Sequence, residues 1–329
     1  MNKPLRAVIK GMGVAVPHKV LANADFEKIV DTTDEWITQR TGIKARHVAS
    51  DGETTASLGA AAAKEALANA GLTASDLDLI ICSTISPEMI FPATACFIQS
   101  AIGAGSVPAF DISAACSGFL YGLTVGSQFI QTGMYKRVLV IGAETLSRFT
   151  DYTDRASCIL FGDGAGAVVL EAAEGERGVL YNVLHSDGSG WDFIHVPGGG
   201  SRTPATHQSV DARNHFIKLK GREVYKFAVE KMQWLLEDCM AKCKLTVDDI
   251  DLVVPHQVNS RIIASATERV NFPAEKVFMN IARYGNTSAA SVPMALAEAR
   301  REGRISEGST IMLVAFGAGL TWAGSVLRM

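Results

Sequence analysis

The sequence predicts a layered α/β fold built from two similar halves, and three observations carry that prediction. Short buried-looking apolar runs alternate with helix-length segments along the whole chain, the pattern of strands and helices stacked in layers. Hydrophobic residues make up 48% and charged residues 20%, enough apolar surface to fill a large interior. The chain also repeats itself. Thr73–Ile81 (TASDLDLII) matches Thr246–Val254 (TVDDIDLVV) at an offset of 173 (246 − 73), and the strands Val138–Ile141 and Ile311–Val314 lie at the same offset. A period that long excludes a solenoid and points to a duplication. The halves are placed at 1–175 and 176–329.

The elements follow in order. Arg6–Val14 is the first strand, ended by Pro17, and Asp25–Val30 and Asp34–Arg40 are short helices. Thr54–Ala70 is an Ala-rich helix stopped by Gly71, the usual residue past a helix end. Leu77–Cys82 is a buried strand, Thr94–Ile102 a helix and Val107–Ile112 a strand. The run of small and apolar residues from Gly118 to Ile130 is a buried helix whose first turn holds Cys116. Arg137–Gly142, Ala165–Glu171 and Gly178–His185 are strands, followed by a mostly polar loop over Ser186–Ser209. A helix over Glu223–Cys243, the strand Ile250–Pro255, a helix after Asn259 and a helix over Ser288–Arg301 come next. The strands Thr310–Phe316 and Thr321–Leu327 close the chain.

Several function classes are disfavoured at once. The net charge of −3 carries no nucleic-acid signature. No apolar run reaches the ~20 residues a membrane span needs, and Met1–Pro17 lacks the apolar core of a signal peptide, so a cytoplasmic location is expected. The six cysteines are scattered in apolar surroundings, as expected for reduced thiols. Cys239 and Cys243 share a helix face but no further ligand follows at zinc spacing, so no metal site is expected. Gly162–Gly166 lacks the spacing of a dinucleotide loop and precedes a strand, so a tight turn or close backbone contact is expected there.

Cys116 carries the chemistry. It follows an apolar strand and starts a helix among Ala114, Ala115, Ser117 and Gly118, which leave room beside the sulfur. A helix N-terminus favours the nucleophilic thiolate; a buried structural cysteine is the competing reading. The offset of 173 puts Ala289, within Asn286–Ser291, at the position matching Cys116, so both helix starts are expected to face one site. His256 ends an apolar strand and is read either as an acid–base residue or as a core histidine. Asn286 is read as a site residue, as a helix cap, or as both.

Cys116 followed by Pro255–Asn259 (PHQVN), Gly285–Pro293 (GNTSAASVP) and Ala315–Trp322 (AFGAGLTW) resembles the β-ketoacyl-acyl-carrier-protein synthase III family, from about Arg6 to Arg328. The resemblance implies the duplicated thiolase-like fold, layered α-β-α-β-α. It implies an acyltransferase that condenses an acyl-CoA primer, acetyl-CoA or another short chain, with malonyl-acyl-carrier protein. Carbon dioxide is lost, a 3-oxoacyl-acyl-carrier protein forms, and fatty-acid biosynthesis begins. It implies Cys116 as nucleophile, His256 and Asn286 as donors to the malonyl thioester carbonyl, and the backbone N–H groups of Cys116 and Ala318 as oxyanion hole. Ala318 stands in a Gly-Ala-Gly run and serves if its φ is not positive. Trp36 and Arg155 would sandwich the adenine of coenzyme A, beside Arg40.

Five basic residues between Arg213 and Lys226 stand against one acid, an excess suited to an acidic carrier protein or to an ordinary solvated face. By the resemblance Lys226 and Arg261 flank the mouth. Phe91 would cross a homodimer interface and narrow the partner's acyl tunnel; a plain core Phe is the alternative. No cofactor is implied, since the coenzyme A thioester is a substrate. A thiolase would need a second cysteine near the C-terminus, and none follows Cys243. An elongating synthase would need a second histidine where Asn286 stands. A relative passing acyl groups to another acceptor, or a non-catalytic acyl-binding protein, remains the alternative.

Overall fold

The computed structural model describes residues 4–329; residues 1–3, the start of the first half as delimited from sequence, lie outside the described residues. Its strands are β1 (Leu5–Ala15), β2 (Val20–Ala22), β3 (Ala45–His47), β4 (Leu79–Ser83), β5 (Ala109–Ile112), β6 (Arg137–Thr145), β7 (Asp163–Glu174), β8 (Gly178–Ser186), β9 (Ile194–His195), β10 (Lys218–Leu219), β11 (Leu252–Pro255), β12 (Thr310–Gly317) and β13 (Thr321–Arg328).

Two sheets carry the architecture. One runs β1-β7-β6-β4-β5 and the other β11-β12-β13-β8. In the first, β4 is parallel to β5 and β6, while β7 is antiparallel to β6 and β1. The second repeats this pattern: β11 is parallel to β12, β13 is antiparallel to β12 and β8, and a parallel bridge from Val253 to Val277 stands where β5 stands in the first. The offset of 173 is visible atom by atom. Thr73 binds Asp76 through N–H and hydroxyl at 2.8 Å each, and Thr246 binds Asp249 in the same way at 2.8 and 2.7 Å.

Burial explains the strand compositions. Every residue of β4, β11 and β12 is buried, as expected of strands covered on both faces. Between the sheets lie the helices Gly118–Gln131 and Ser291–Arg301. Leu120, Leu123, Val292 and Leu296 pack in one cluster with Val140 of one sheet and Leu313 of the other. The helices Thr55–Ala70 and Thr94–Ile102 cover the outer face of the first sheet, and Gly221–Cys243 and Ser260–Arg269 that of the second. The result is the expected α-β-α-β-α stack. Helix Thr55–Ala70 starts on Thr54, whose hydroxyl accepts from Ser57 N–H, and ends on Gly71 in the left-handed region (φ 67°).

Local differences from the sequence reading are short-range. The helix expected over Asp25–Val30 is one turn, Asn23–Phe26, lying between β2 and β3, which pair antiparallel. The loop after β8 holds β9, which pairs with β10, and a short helix His207–Asp211, so Lys218 lies on a strand. Gly162–Gly166 is the close backbone contact expected: a Cβ on Gly162 would meet the Tyr284 carbonyl at 2.2 Å. Cys239 lies in the core of the second half. Among the described residues no helix is long and apolar enough to cross a membrane.

Candidate active site

Two matching turns meet between the sheets. Ala115–Ser117 and Ser288–Ala290 are 3-10 turns, each running straight into a buried helix, at Gly118 and Ser291. Cys116 therefore sits in a turn ahead of its helix and not in the helix's first turn. Ala115 and Ser288 occupy matching positions and both take left-handed backbone, with φ of 47° and 49°. Non-glycine residues hold that conformation only where the surroundings impose it. The turns are pressed together by β6 and β12. A Cβ on Gly142 would meet the Ala289 carbonyl at 2.3 Å, and one on Gly317 the Cys116 nitrogen at 2.6 Å.

Cys116, His256, Asn286 and Ser288 open onto one cavity of about 420 Å³, whose remaining wall is mostly apolar and includes Leu146, Ile217 and Val224. Cys116 keeps some accessible surface through this cavity, but protein atoms surround its sulfur. Burial pushes the thiol up to about 12, with the Ser288 hydroxyl opposing and Glu144 adding to the rise. The helix-start effect expected from sequence is outweighed by desolvation, which disfavours any unpaired buried charge.

His256 is fully buried, and burial pushes its imidazole down to about 3, so it is neutral. Its Nδ1 lies 2.6 Å from Ser291 Oγ. That oxygen also accepts from the Gln257 N–H at 3.4 Å; when its own proton goes to Nδ1, the ring N–H falls on Nε2. Among the described residues Nε2 has no hydrogen-bond partner. Asn286 is 6% exposed, and its Oδ1 accepts from the Ser288 N–H at 2.9 Å. Asn286 is therefore not the cap of either following helical segment, whose cap positions are Thr287 and Ala290; its Oδ1 closes a local turn onto Ser288, and with Oδ1 taken its amide nitrogen is the free end. The Asn286 backbone bonds Leu160 and Gly162 of the other half at 2.9 and 3.0 Å. The cavity therefore receives two neutral N–H donors beside one thiol. Ala318 lines it as well and is not among the residues with positive φ.

The outer residues fall around the same opening. Arg155 stacks on the Trp36 ring at 4.6 Å and Arg40 lies 5.8 Å from its centre. The Arg40 carbonyl accepts from Asn259, which lines the cavity. Lys226 is exposed between the cavity-lining Tyr225 and Phe227, and Arg261 is exposed beside the cavity-lining Ile262. The basic patch is smaller than its composition implies, because Arg213 is paired with Asp151 and Lys220 with Asp192. Phe91 is 81% exposed, which rules out a core role. Sequence reasoning missed Ser291, which belongs to the same small-residue motif as Asn286. It also missed Glu144, whose signal was a lone carboxylate next to the end of a strand that is buried from Val138 onward.

A duplicated five-layer α/β fold with a cysteine and two neutral donors where its halves meet defines the class of thiolase-like condensing enzymes. Residues 110–188 match the model of 3-oxoacyl-[acyl-carrier-protein] synthase III, and residues 240–329 match its C-terminal model. The chain is 50% identical to β-ketoacyl-[acyl-carrier-protein] synthase III of Caldanaerobacter subterraneus subsp. tengcongensis, covering 100% of this chain and 99% of that one. It is 50% identical to the enzyme of the same name from Clostridioides difficile, over 98% of both chains. The crystal structure of 3-oxoacyl-[acyl-carrier-protein] synthase III from Aquifex aeolicus superposes with a TM-score of 0.91 at 47% identity, over 98% of this chain and 100% of that one. The chain belongs to the β-ketoacyl-[acyl-carrier-protein] synthase III family.

Proposed function

We propose that this enzyme joins a short acyl group from acyl-CoA to malonyl-acyl-carrier protein with loss of carbon dioxide, forming a 3-oxoacyl-acyl-carrier protein and starting a fatty-acid chain. The observation that carries the reading is that one thiol and two neutral N–H donors share a mostly apolar cavity in a chain of this family. Cys116 takes the acyl group as a thioester, giving its proton up as the C–S bond forms and coenzyme A leaves as the thiol. The backbone N–H groups of Cys116 and Ala318 stabilise the tetrahedral oxyanion. Malonyl thioester then enters, and His256 Nε2–H and the Asn286 amide donate to its carbonyl oxygen. Neutral donors suit this step, since they meet the negative charge of the enolate only as carbon dioxide departs. The carbanion attacks the acyl carbonyl, the new C–C bond forms, and the bond to Cys116 breaks.

Trp36, Arg40 and Arg155 hold the adenine end of coenzyme A, and Lys226 and Arg261 dock the acidic carrier protein. The chemistry requires no resident cofactor. The working form is a cytoplasmic homodimer, and Phe91 of each subunit limits the other's acyl pocket. The reading is tested with acetyl-CoA labelled in the acetyl group, followed by malonyl-acyl-carrier protein. The expected result is label on the Cys116 peptide that moves to a 3-oxoacyl-carrier protein. Absence of covalent label, or label that never reaches the carrier protein, contradicts it.

A further inference from the structure

Glu144 is a fully buried carboxyl beneath the site, and the reaction scheme above leaves it without a task. Its two oxygens are not equivalent. Oε2 accepts from Ser86 Oγ at 2.6 Å, Ser86 N–H at 3.1 Å, and Thr84 Oγ1 and Ile85 N–H at 3.2 Å each. Oε1 has only two long contacts, both at 3.4 Å, from Ile85 and Ala289 N–H. Oε1 is therefore the oxygen with room for a proton, and it faces the turn that carries Ser288. Among the described residues the buried Ser288 hydroxyl has no hydrogen-bond partner; it lines the cavity with Cys116, in the turn whose Ala289 N–H approaches Glu144 Oε1. The other titratable group facing Glu144 is the Cys82 thiol on β4, and among the described residues no Lys, Arg or His forms an ion pair with the carboxyl.

Condensation creates a proton deficit. When the new C–C bond forms and the C–S bond breaks, the electron pair leaves on the Cys116 sulfur. The malonyl carboxylate departs as carbon dioxide and brings no proton. A bare thiolate is costly where the thiol is pushed up to about 12. Neutral His256 spends its single N–H on the enolate oxygen.

We propose that Glu144, acting through the Ser288 hydroxyl, protonates the Cys116 sulfur as the 3-oxoacyl product leaves. Glu144 Oε1–H gives its proton to Ser288 Oγ while the Ser288 hydroxyl proton passes to the sulfur, leaving a thiol and the Glu144 carboxylate. Water entering the emptied cavity returns a proton by the same hydroxyl. Burial pushes Glu144 up to about 7, so it holds such a proton in part at neutral pH. The proposal rests on the condensing reading above.

The test is the pH profile of turnover beside the rate of Cys116 acetylation, in the parent enzyme, Glu144→Gln and Ser288→Ala. Ala115 holds the same left-handed backbone as Ser288, so alanine is tolerated there; Ser288→Ala decides alone if Glu144→Gln does not fold. Parent turnover should fall as pH rises through about 7, as Glu144 loses its proton. Both variants should lose that limb and turn over about 10²-fold more slowly, with acetylation slowed far less than turnover. A parent profile without the limb, a variant that keeps it, or acetylation slowed as much as turnover overturns the proposal. A parent enzyme that acetylates but never condenses overturns the condensing reading instead.

Discussion

His256 owes its orientation to one hydroxyl. Ser291 Oγ lies 2.6 Å from Nδ1; a hydroxyl donating there puts the ring proton on Nε2, and Ser291→Ala removes the partner that sets the tautomer. That variant should lower carbon dioxide release from malonyl-acyl-carrier protein by about tenfold, roughly one neutral hydrogen bond. KM for acetyl-CoA should hardly move; a raised KM with unchanged decarboxylation contradicts this role. Burial depresses the imidazole from 6.5 to about 3, so the ring stays neutral as pH falls through 6.5. The acetylation rate should accordingly show no step near pH 6.5, and the His256 ring signals should not titrate by NMR between about pH 5 and 8. A titration near 6.5 would show that the ring is hydrated. At this scale residue types were legible in the sequence, but electrostatics were not. Cys116, His256 and Asn286 are unusual residues in unusual settings, whereas the rise of the Cys116 thiol comes from atoms far away in the chain. Ser291 and Glu144 were passed over because a serine in a small-residue run and a carboxylate at a strand end look ordinary until they are seen meeting the reactive groups.

The paired turns are the elements on which the site depends. Gly142 lets the Ala289 carbonyl approach the strand that holds Glu144, and any side chain there separates the two halves of the site. Gly142→Ala should cost about 1–3 kcal/mol of stability through overpacking, read by denaturant unfolding. Catalysis should fall further than stability, because the turns of Cys116 and Asn286 move apart; an unchanged unfolding midpoint with full activity contradicts this. The long elements were readable because their apolar patterns extend over many residues, and the 173-residue offset revealed the two helix starts as mates. The 3-10 turns were not readable. Ala115 and Ser288 are forced into left-handed backbone by tertiary contacts, against local preference. Strands β2, β3, β9 and β10 escaped for a related reason: two or three residues are too few to show a period.

At the scale of the whole molecule, one surface stands out. Met89, Ile90 and Phe91 form an exposed apolar stretch, with Ile90 and Phe91 each 81% exposed, a costly arrangement for an isolated chain. Light scattering should give twice the 35.0 kDa of one chain, and Phe91→Thr should extend the accepted primer. A monomer, or an unchanged chain-length profile, contradicts the role given to Phe91. The site itself is shared between halves: Cys116 comes from the first, His256 and Asn286 from the second. The two half-reactions should therefore separate under mutation, and Asn286→Ala separates them most cleanly. Acetylation of Cys116 and release of carbon dioxide from malonyl-acyl-carrier protein are to be measured independently in that variant. Acetylation should persist near the parent rate, while carbon dioxide release should fall by about 10²–10³-fold, the usual loss for one donor to a developing oxyanion. Decarboxylation at the parent rate, or loss of acetylation altogether, would contradict the division of labour between Cys116 and the two donors.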